Sequence, residues 1–311
     1  MRPTLFEPHL LAARRNRGEV LGFTADASFL HKAVGDSLRD RLASVTRDFA
    51  DWTLIGAGNG TLAKMLPKGV TPRVLERSAA RAANLGLAPT AWTDALPLPI
   101  SSQDLILSLL ELHWSDDPVG QLIQMRRALR PDGLVLAALF GGQTLHELRT
   151  ALAEAEVALT GGLSPRVAPM AELRDLGALL QRAGFALPVA DTEKLEVTYP
   201  DIWALMRDLR CMGETNILAA RRRGMTPRRL FEEADRIYRH AFPAEGGRLR
   251  ATFEIIYLTG WAPAENQPRP LRPGSARMRL SDALGTTEKS AGERAGFPVP
   301  NAAGDRKPNQ D

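Results

Sequence analysis

Three glycines at alternate positions, Gly56, Gly58 and Gly60, separate the short apolar run Asp51–Ile55 from Thr61–Leu66, where apolar residues recur at helical spacing. Such a loop lets the backbone turn sharply and lie against a ligand where a Cβ would clash. The helix expected behind it offers free N–H groups and the positive end of its dipole. Taken alone, the same pattern also serves an ordinary strand-to-helix turn. Glu76 closes a second short strand, Pro72–Glu76, 16 positions beyond Gly60. A carboxylate at that tip accepts from both hydroxyls of a ribose, or else caps a helix or faces water. Asp94, in a third expected strand over 91–97, is placed to accept from the exocyclic amine of a purine. His113 follows the apolar run Leu105–Leu110, within Glu111–Asp117. It is a candidate base or substrate-orienting group, and equally a structural histidine at a strand end. Trp114 beside it suits closing a pocket better than reacting.

These residues need strands to hold them at one rim. Leu105–Leu110 has the length and apolar content of a buried parallel strand. Pro118–Arg130 reads as a helix stopped by Pro131-Asp132-Gly133, and Leu134–Phe140 as a fifth strand. Helices are expected from Thr144 to Leu159, Ala171 to Ala183, Pro200 to Met212 and Thr226 to His240. Leu187–Tyr199 reads as an edge strand, and Phe253–Leu258, β-branched and aromatic, as the last of seven. Strands alternating with helices indicate a doubly wound α/β fold around a mostly parallel seven-stranded sheet, whose ligands bind outside the carboxyl ends of the strands. The glycine loop, Glu76, Asp94 and Glu111–Asp117 all fall at those ends. Three regions are expected: a helical segment over 1–45, the α/β domain over 46–262, and a flexible tail over 263–311 with seven prolines and interleaved charge.

Composition excludes several classes. The chain has 311 residues, 44% apolar and 24% charged, with a net charge of +4. Its basic residues are interleaved with acids, so nucleic acid is not an expected partner. One cysteine, Cys211, permits no intramolecular disulfide and no cysteine-rich metal site. No apolar run reaches the roughly 20 residues of a membrane-spanning helix. The first residues lack a signal-peptide core, so the cytoplasm is the expected compartment. His9 and His31 read as surface or packing histidines. His113, Asp116, His146 and Glu147 form a metal set only on paper, because no compact His-x-Asp spacing joins them, and no metal is expected. Arg221–Arg223 with Arg228 and Arg229 reads as a solvated face, or as a contact for an acidic protein.

With these residues in place, the chain resembles the class I S-adenosylmethionine-dependent methyltransferases of the type 11 group over roughly residues 45 to 260. Gly56-x-Gly58-x-Gly60 matches their cofactor loop, and Arg127-Ala128-Leu129-Arg130-Pro131-Asp132-Gly133 matches their turn before strand five. The resemblance implies S-adenosyl-L-methionine as cofactor, held by Gly56, Ala57, Gly58, Gly60, Glu76, Asp94, Ala95 and Leu110. Leu54 departs from the pattern, standing where the group usually carries an acid. A narrower resemblance is to the mitochondrial complex I assembly factors that hydroxylate an arginine, and to their bacterial relatives. It rests on Ser108–Trp114, Phe140–Arg149, Gly162–Pro165, Met212–Asn216 and Pro273–Ala276. It implies a protein substrate, a complex I subunit, and a place at the inner membrane reached only through that partner. The methyltransferases that esterify malonyl-carrier protein in biotin synthesis are the next nearest. Methylation, hydroxylation and a non-catalytic assembly role all stay open at this point. Methyl transfer needs alignment and exclusion of water more than a catalytic triad, and no triad is visible.

Overall fold

The computed structural model describes residues 4–22 and 27–268, except 87, 89, 91 and 93, with 278, 282 and 285–287 beyond. Residues 1–267 form one unit, described here by itself. Its strands are β1 (Trp52–Ile55), β2 (Arg73–Leu75), β3 (Gln103–Leu109), β4 (Leu129–Phe140), β5 (Ala186–Tyr199) and β6 (Leu249–Trp261). Its helices are α1 (Pro8–Val20), α2 (Phe29–Ala43), α3 (Ala79–Asn84), α4 (Pro118–Ala128), α5 (His146–Thr160), α6 (Leu173–Arg182), α7 (Ile202–Met212) and α8 (Arg228–Ala241).

Period-two alternation builds the layers. Along β3, Leu105, Leu107 and Leu109 face one apolar cluster, packed by α2, α5, α7 and α8, while Ile106 faces the other, packed by α4 and α6. Every one of these four side chains is at most 1% exposed. Burying each contributes roughly 1.5–3 kcal/mol. The sheet order is β2-β1-β3-β4-β6-β5, and β6 alone runs against its neighbours. β2, β1, β3 and β4 pair in parallel, so the tips of β1, β2 and β3 share one rim.

Three expectations need correction. The sheet has six strands among the described residues, not seven. At the strand expected over 91–97, Thr90 makes one parallel bridge to Leu75, and Ala91 and Thr93 lie outside the described residues. Two of the described backbone groups there bond to α4: Gln124 accepts from Leu96 N–H at 2.7 Å and donates to the Asp94 carbonyl at 3.1 Å. Pro97 and Pro99 then remove the donors that a longer strand would need. Secondly, the segment after the glycine loop is a single 3-10 turn, Leu62–Met65, and Pro67 stops it from growing into an α-helix. The dipole argument for that loop is correspondingly weaker. Thirdly, Pro131-Asp132-Gly133 is a bulge inside β4 rather than a terminator: Leu129 pairs with Gln103 and Leu134 with Leu105, so 130–133 loop out opposite Asp104. Asp132 there adopts φ 63°. The segment expected to be helical over 6–45 is two helices, α1 and α2. The proline-rich tail lies almost wholly outside the described residues.

A buried acid clamps the loop after α5. Glu156 accepts from Ser164 N–H, Ser164 Oγ and both Nε and Nη2 of Arg166. The Arg166 hydrogen bonds, against burial, hold its carboxyl at about 2, far below its ordinary 4.5. A lowered folded-state value means the unfolded chain takes up the proton first, so this stabilisation is present above about pH 4.5 and is lost as pH falls toward 2. In urea denaturation, wild type is expected to exceed Glu156→Gln in stability at neutral pH. That gap should shrink on acidification; a gap independent of pH would contradict the clamp.

Candidate active site and its closure by the first helix

The loop residues take the conformations that their sequence suggests. Gly56 and Gly58 sit at φ 80° and 56°. A Cβ on Gly56 would lie 2.6 Å from the Leu109 carbonyl oxygen and 2.7 Å from the Glu111 side chain, so only glycine fits. Glu76 faces the loop: its carboxylate accepts from Ala57 N–H and Ser78 N–H, each at 2.8 Å. Asn59 accepts from Thr61 N–H, which fixes the far side of the turn. Leu54, at the place of the missing acid, is fully buried in the cluster with Leu30 and Val34. An ionised side chain there would have to enter an apolar core.

At the tip of β3 the chain bends through Leu110, a non-glycine residue at φ 52°. Such a conformation costs of order 1–3 kcal/mol and persists only where its surroundings enforce it. Here Leu110 N–H donates to the Ala138 carbonyl at 2.8 Å, and its own carbonyl accepts from Arg15 at 3.2 Å. The bend turns Glu111, His113 and Trp114 inward, all buried.

Arg15, from α1, closes the group. Its guanidinium pairs with Glu111 through Nη1 and with Glu214 through Nη2 at 3.1 Å, and it is 1% exposed. Glu214 also accepts from Trp114 Nε1 at 2.7 Å and stands 3.3 Å from His113 Nε2. Burial opposes ionisation of Glu214, but the His113 hydrogen bond and the Arg15 charge outweigh it and hold its carboxyl at about 2. Glu111 is pushed the other way, up, by burial first, with Glu76 adding to it against Arg15 and Arg77. His31, from α2, packs on Gly58. Burial, then the charge of Arg81, pushes His31 down to about 3, so it is neutral at pH 7.

The expected residues are therefore only partly assembled. Gly56, Ala57, Gly58, Glu76, Leu110 and His113 lie along one buried rim, with Gly60 behind the turn against Leu85. Asp94 and Ala95 are exposed and stand outside it. Asp94 is connected to the rim only through the charge of Arg77, whose guanidinium lies 3.7 Å over the Trp92 ring. The paper metal set does not converge: Asp116 accepts from Leu5 and Phe6 N–H, while His146 and Glu147 start α5 beside Thr252. Sequence reasoning gave no reason to single out Arg15 or Arg77, and Glu214 was marked only as part of a resembling stretch.

By residue type the rim suits an adenosyl cofactor. It offers glycine-loop amides, a carboxylate at the β2 tip, and a buried atom without a hydrogen-bond partner, His113 Nδ1. The rim is closed in this structure. Glu76 and Glu111, 2% and 1% exposed, lie directly against the loop, His31 and Leu109 pack on Gly58, and Glu111 is paired with Arg15 and, at 3.5 Å, with Arg77. α1 covers this rim through Arg15. Beyond His113 the chain does leave space, a cavity of about 550 Å³ floored by Trp114, Phe140, Met212 and Phe253, with Glu214 in its wall. Arg14, Arg210 and Arg222 also line it.

Two variants test the closure. Arg15→Met removes the cation that two buried acids share, leaving Glu111 only Arg77 at 3.5 Å, and should cost about 3–5 kcal/mol in chemical denaturation; a loss below about 1 kcal/mol would mean that the pairs contribute little. Gly18→Ala normally favours a helix by about 1 kcal/mol, yet a Cβ there would lie 2.3 Å from the Cys211 carbonyl oxygen. The expected outcome is a lower melting temperature; a rise would show that α1 is not seated on α7.

The profile of the methyltransferase domain family matches residues 54–137, from β1 to β4. The arginine-hydroxylase NDUFAF5 of Rattus norvegicus is 36% identical over 82% of this chain and 76% of its own. The Danio rerio protein of the same name is 36% identical over 82% and 81%. The malonyl-[acyl-carrier protein] O-methyltransferase of Halorhodospira halophila is 32% identical over 81% and 88%. Among solved structures, the YcgJ protein of Bacillus subtilis superposes with a TM-score of 0.50 at 16% identity, covering 74% of this chain and 99% of that one, and so shares the fold. The chain belongs to the S-adenosylmethionine-dependent methyltransferase family and is similar both to the NDUFAF5 arginine-hydroxylases and to the malonyl-[acyl-carrier protein] O-methyltransferases.

Proposed function

We propose that this chain binds S-adenosyl-L-methionine along the β1–β2–β3 rim and modifies a protein acceptor, a subunit of respiratory complex I. The observation that carries the reading is the tie between loop and acid: Glu76 is held on the glycine loop by the Ala57 and Ser78 amides, at the strand tip where a ribose is gripped. Similarity to the NDUFAF5 arginine-hydroxylases supports a protein acceptor, and the stretches Ser108–Trp114 and Phe140–Arg149, which resemble those of complex I assembly factors, tie the reading to complex I. When bound, the cofactor supplies a methyl already activated by its sulfonium. The chain's share is to align an acceptor and exclude water. His113, facing the cavity wall through Glu214, is the residue proposed to orient the acceptor or take its proton. Asp94 and Ala95 are proposed to reach the adenine only after α1 moves. The cytoplasm, with the inner membrane met through the partner, is the proposed location.

Hydroxylation is the second reading, carried by the name of the relatives at 36% identity. His113, Asp116, His146 and Glu147 are apart, so an oxygen-activating group would need another holder.

Calorimetric titration with S-adenosylmethionine and S-adenosylhomocysteine tests the cofactor. Wild type is expected to bind both, and Glu76→Ala to lose at least about tenfold in affinity. Equal affinity in the variant would remove the ribose assignment. Hydrogen exchange should rise in α1 when S-adenosylhomocysteine is added; unchanged protection would mean that the ligand enters with Arg15 in place. Intact mass of the acceptor after turnover separates an added methyl from an added oxygen.

A further inference from the structure

Charge is unevenly placed on this chain. Residues 207–229 carry seven arginines and two acids, an excess of five positive charges, more than the net +4 of all 311 residues. Glu214 is one of those acids, and it is spent on Arg15, His113 and Trp114 inside the protein. Arg221 and Arg223 share one partner, Glu7. Among the described residues Arg210, Arg222 and Arg229 make no ion pair, and all three are exposed. Arg14 feels the crowding: burial first, then the charges of Arg17, Arg221 and Arg210, push its guanidinium below its ordinary value, with no acid acting on it.

Of these cations Arg14, Arg210, Arg221, Arg222 and Arg223 line the cavity beyond His113, and a further arginine, Arg228, paired at the surface with Glu232 at 3.0 Å, lines an apolar groove next to it. An open depression of about 660 Å³ lies between the start of α7 and the start of α8, walled by Trp203, Phe231 and Met225. Met225 is 95% exposed. The Trp203 and Phe231 rings pack 5.4 Å apart, and the Arg228 guanidinium stands 5.8 Å over Trp203. Thr226 and Phe231 line this groove and also the cavity beyond His113, so the two adjoin. An exposed groove with Arg228 at its edge thus lies next to the candidate active site.

We propose that this groove docks an acidic polypeptide segment bearing an apolar anchor residue, and that the segment presents its neighbour to the cavity. The clause on presentation rests on the protein-acceptor reading above; the docking itself does not. Charge complementarity selects an anionic occupant, and the Trp203–Phe231–Met225 wall selects one with an apolar side chain. A nucleic-acid duplex would use the arginines and leave that wall unused. An acidic peptide uses both.

The test is fluorescence anisotropy at low and moderate salt with three labelled synthetic peptides. One is rich in Asp and Glu with a central Leu-Phe anchor, one has the anchor replaced by Ser-Ser, and one has Lys in place of the acids. The anchored acidic peptide is expected to bind at least about tenfold tighter than either control. The exposed double variant Arg228→Glu/Arg229→Glu should lose at least about tenfold, and Trp203→Ala should lose the advantage of the anchor while keeping the salt dependence. Equal binding of anchored and anchor-free peptides, or no loss in the double variant, overturns the proposal. So does tighter binding of a single-stranded oligonucleotide or of phosphatidylglycerol vesicles than of the peptide. S-adenosylhomocysteine titrated into the double variant should match wild type, because neither arginine touches the rim. Peptide binding without cofactor binding would sink the proposed function and leave the docking surface standing.

Discussion

The pairing of Arg15 with Glu111 and Glu214 holds together three distant parts of the chain. It connects α1, the strained tip of β3 and the segment after α7. Each partner is almost wholly buried, so the charges cannot fall back on water, and the loss of Arg15 takes from both acids the cation they share. Trp114 and His113 take their places from the same Glu214 carboxylate. Position at the strand tips is thus set by electrostatics as much as by the sheet.

Backbone contact brings the arginine there. Gly18 lets α1 lie on the carbonyls of Arg210 and Cys211, and Gly213 leaves room for the Arg15 backbone. On the other side Arg81, from α3, pairs with Glu19 and donates to the Met212 carbonyl. α1 is therefore held at three points around one rim. A helix so seated is both a support for the site and its cover.

The alternating apolar residues of β3, the glycine spacing and Glu76 were legible in the sequence because each is a local pattern: a period, a turn and a strand-end acid. The same holds for α5, α7, α8 and the edge strand β5. The missing strand was misread because 91–97 carries apolar residues at strand spacing, while two of its backbone hydrogen bonds go to Gln124, a side chain 28 positions beyond Leu96. The 3-10 turn was misread because propensity over Thr61–Leu66 favours a helix that Pro67 cuts short. Arg15 was invisible for a different reason. It sits among Arg14 and Arg17 on a helix of mixed charge, and its partners lie 96 and 199 residues away. No spacing rule reaches across that distance.

The reversed strand bears on how the molecule comes into being. β6 is the last strand among the described residues, yet it lies inside the sheet, between β4 and β5. Until residues 249–261 have left the ribosome, β5 has no strand to pair with and one side of β4 stays bare. The nascent chain thus carries unsatisfied ladders until β6 emerges, an interval in which strand-to-strand association with other molecules competes with completion.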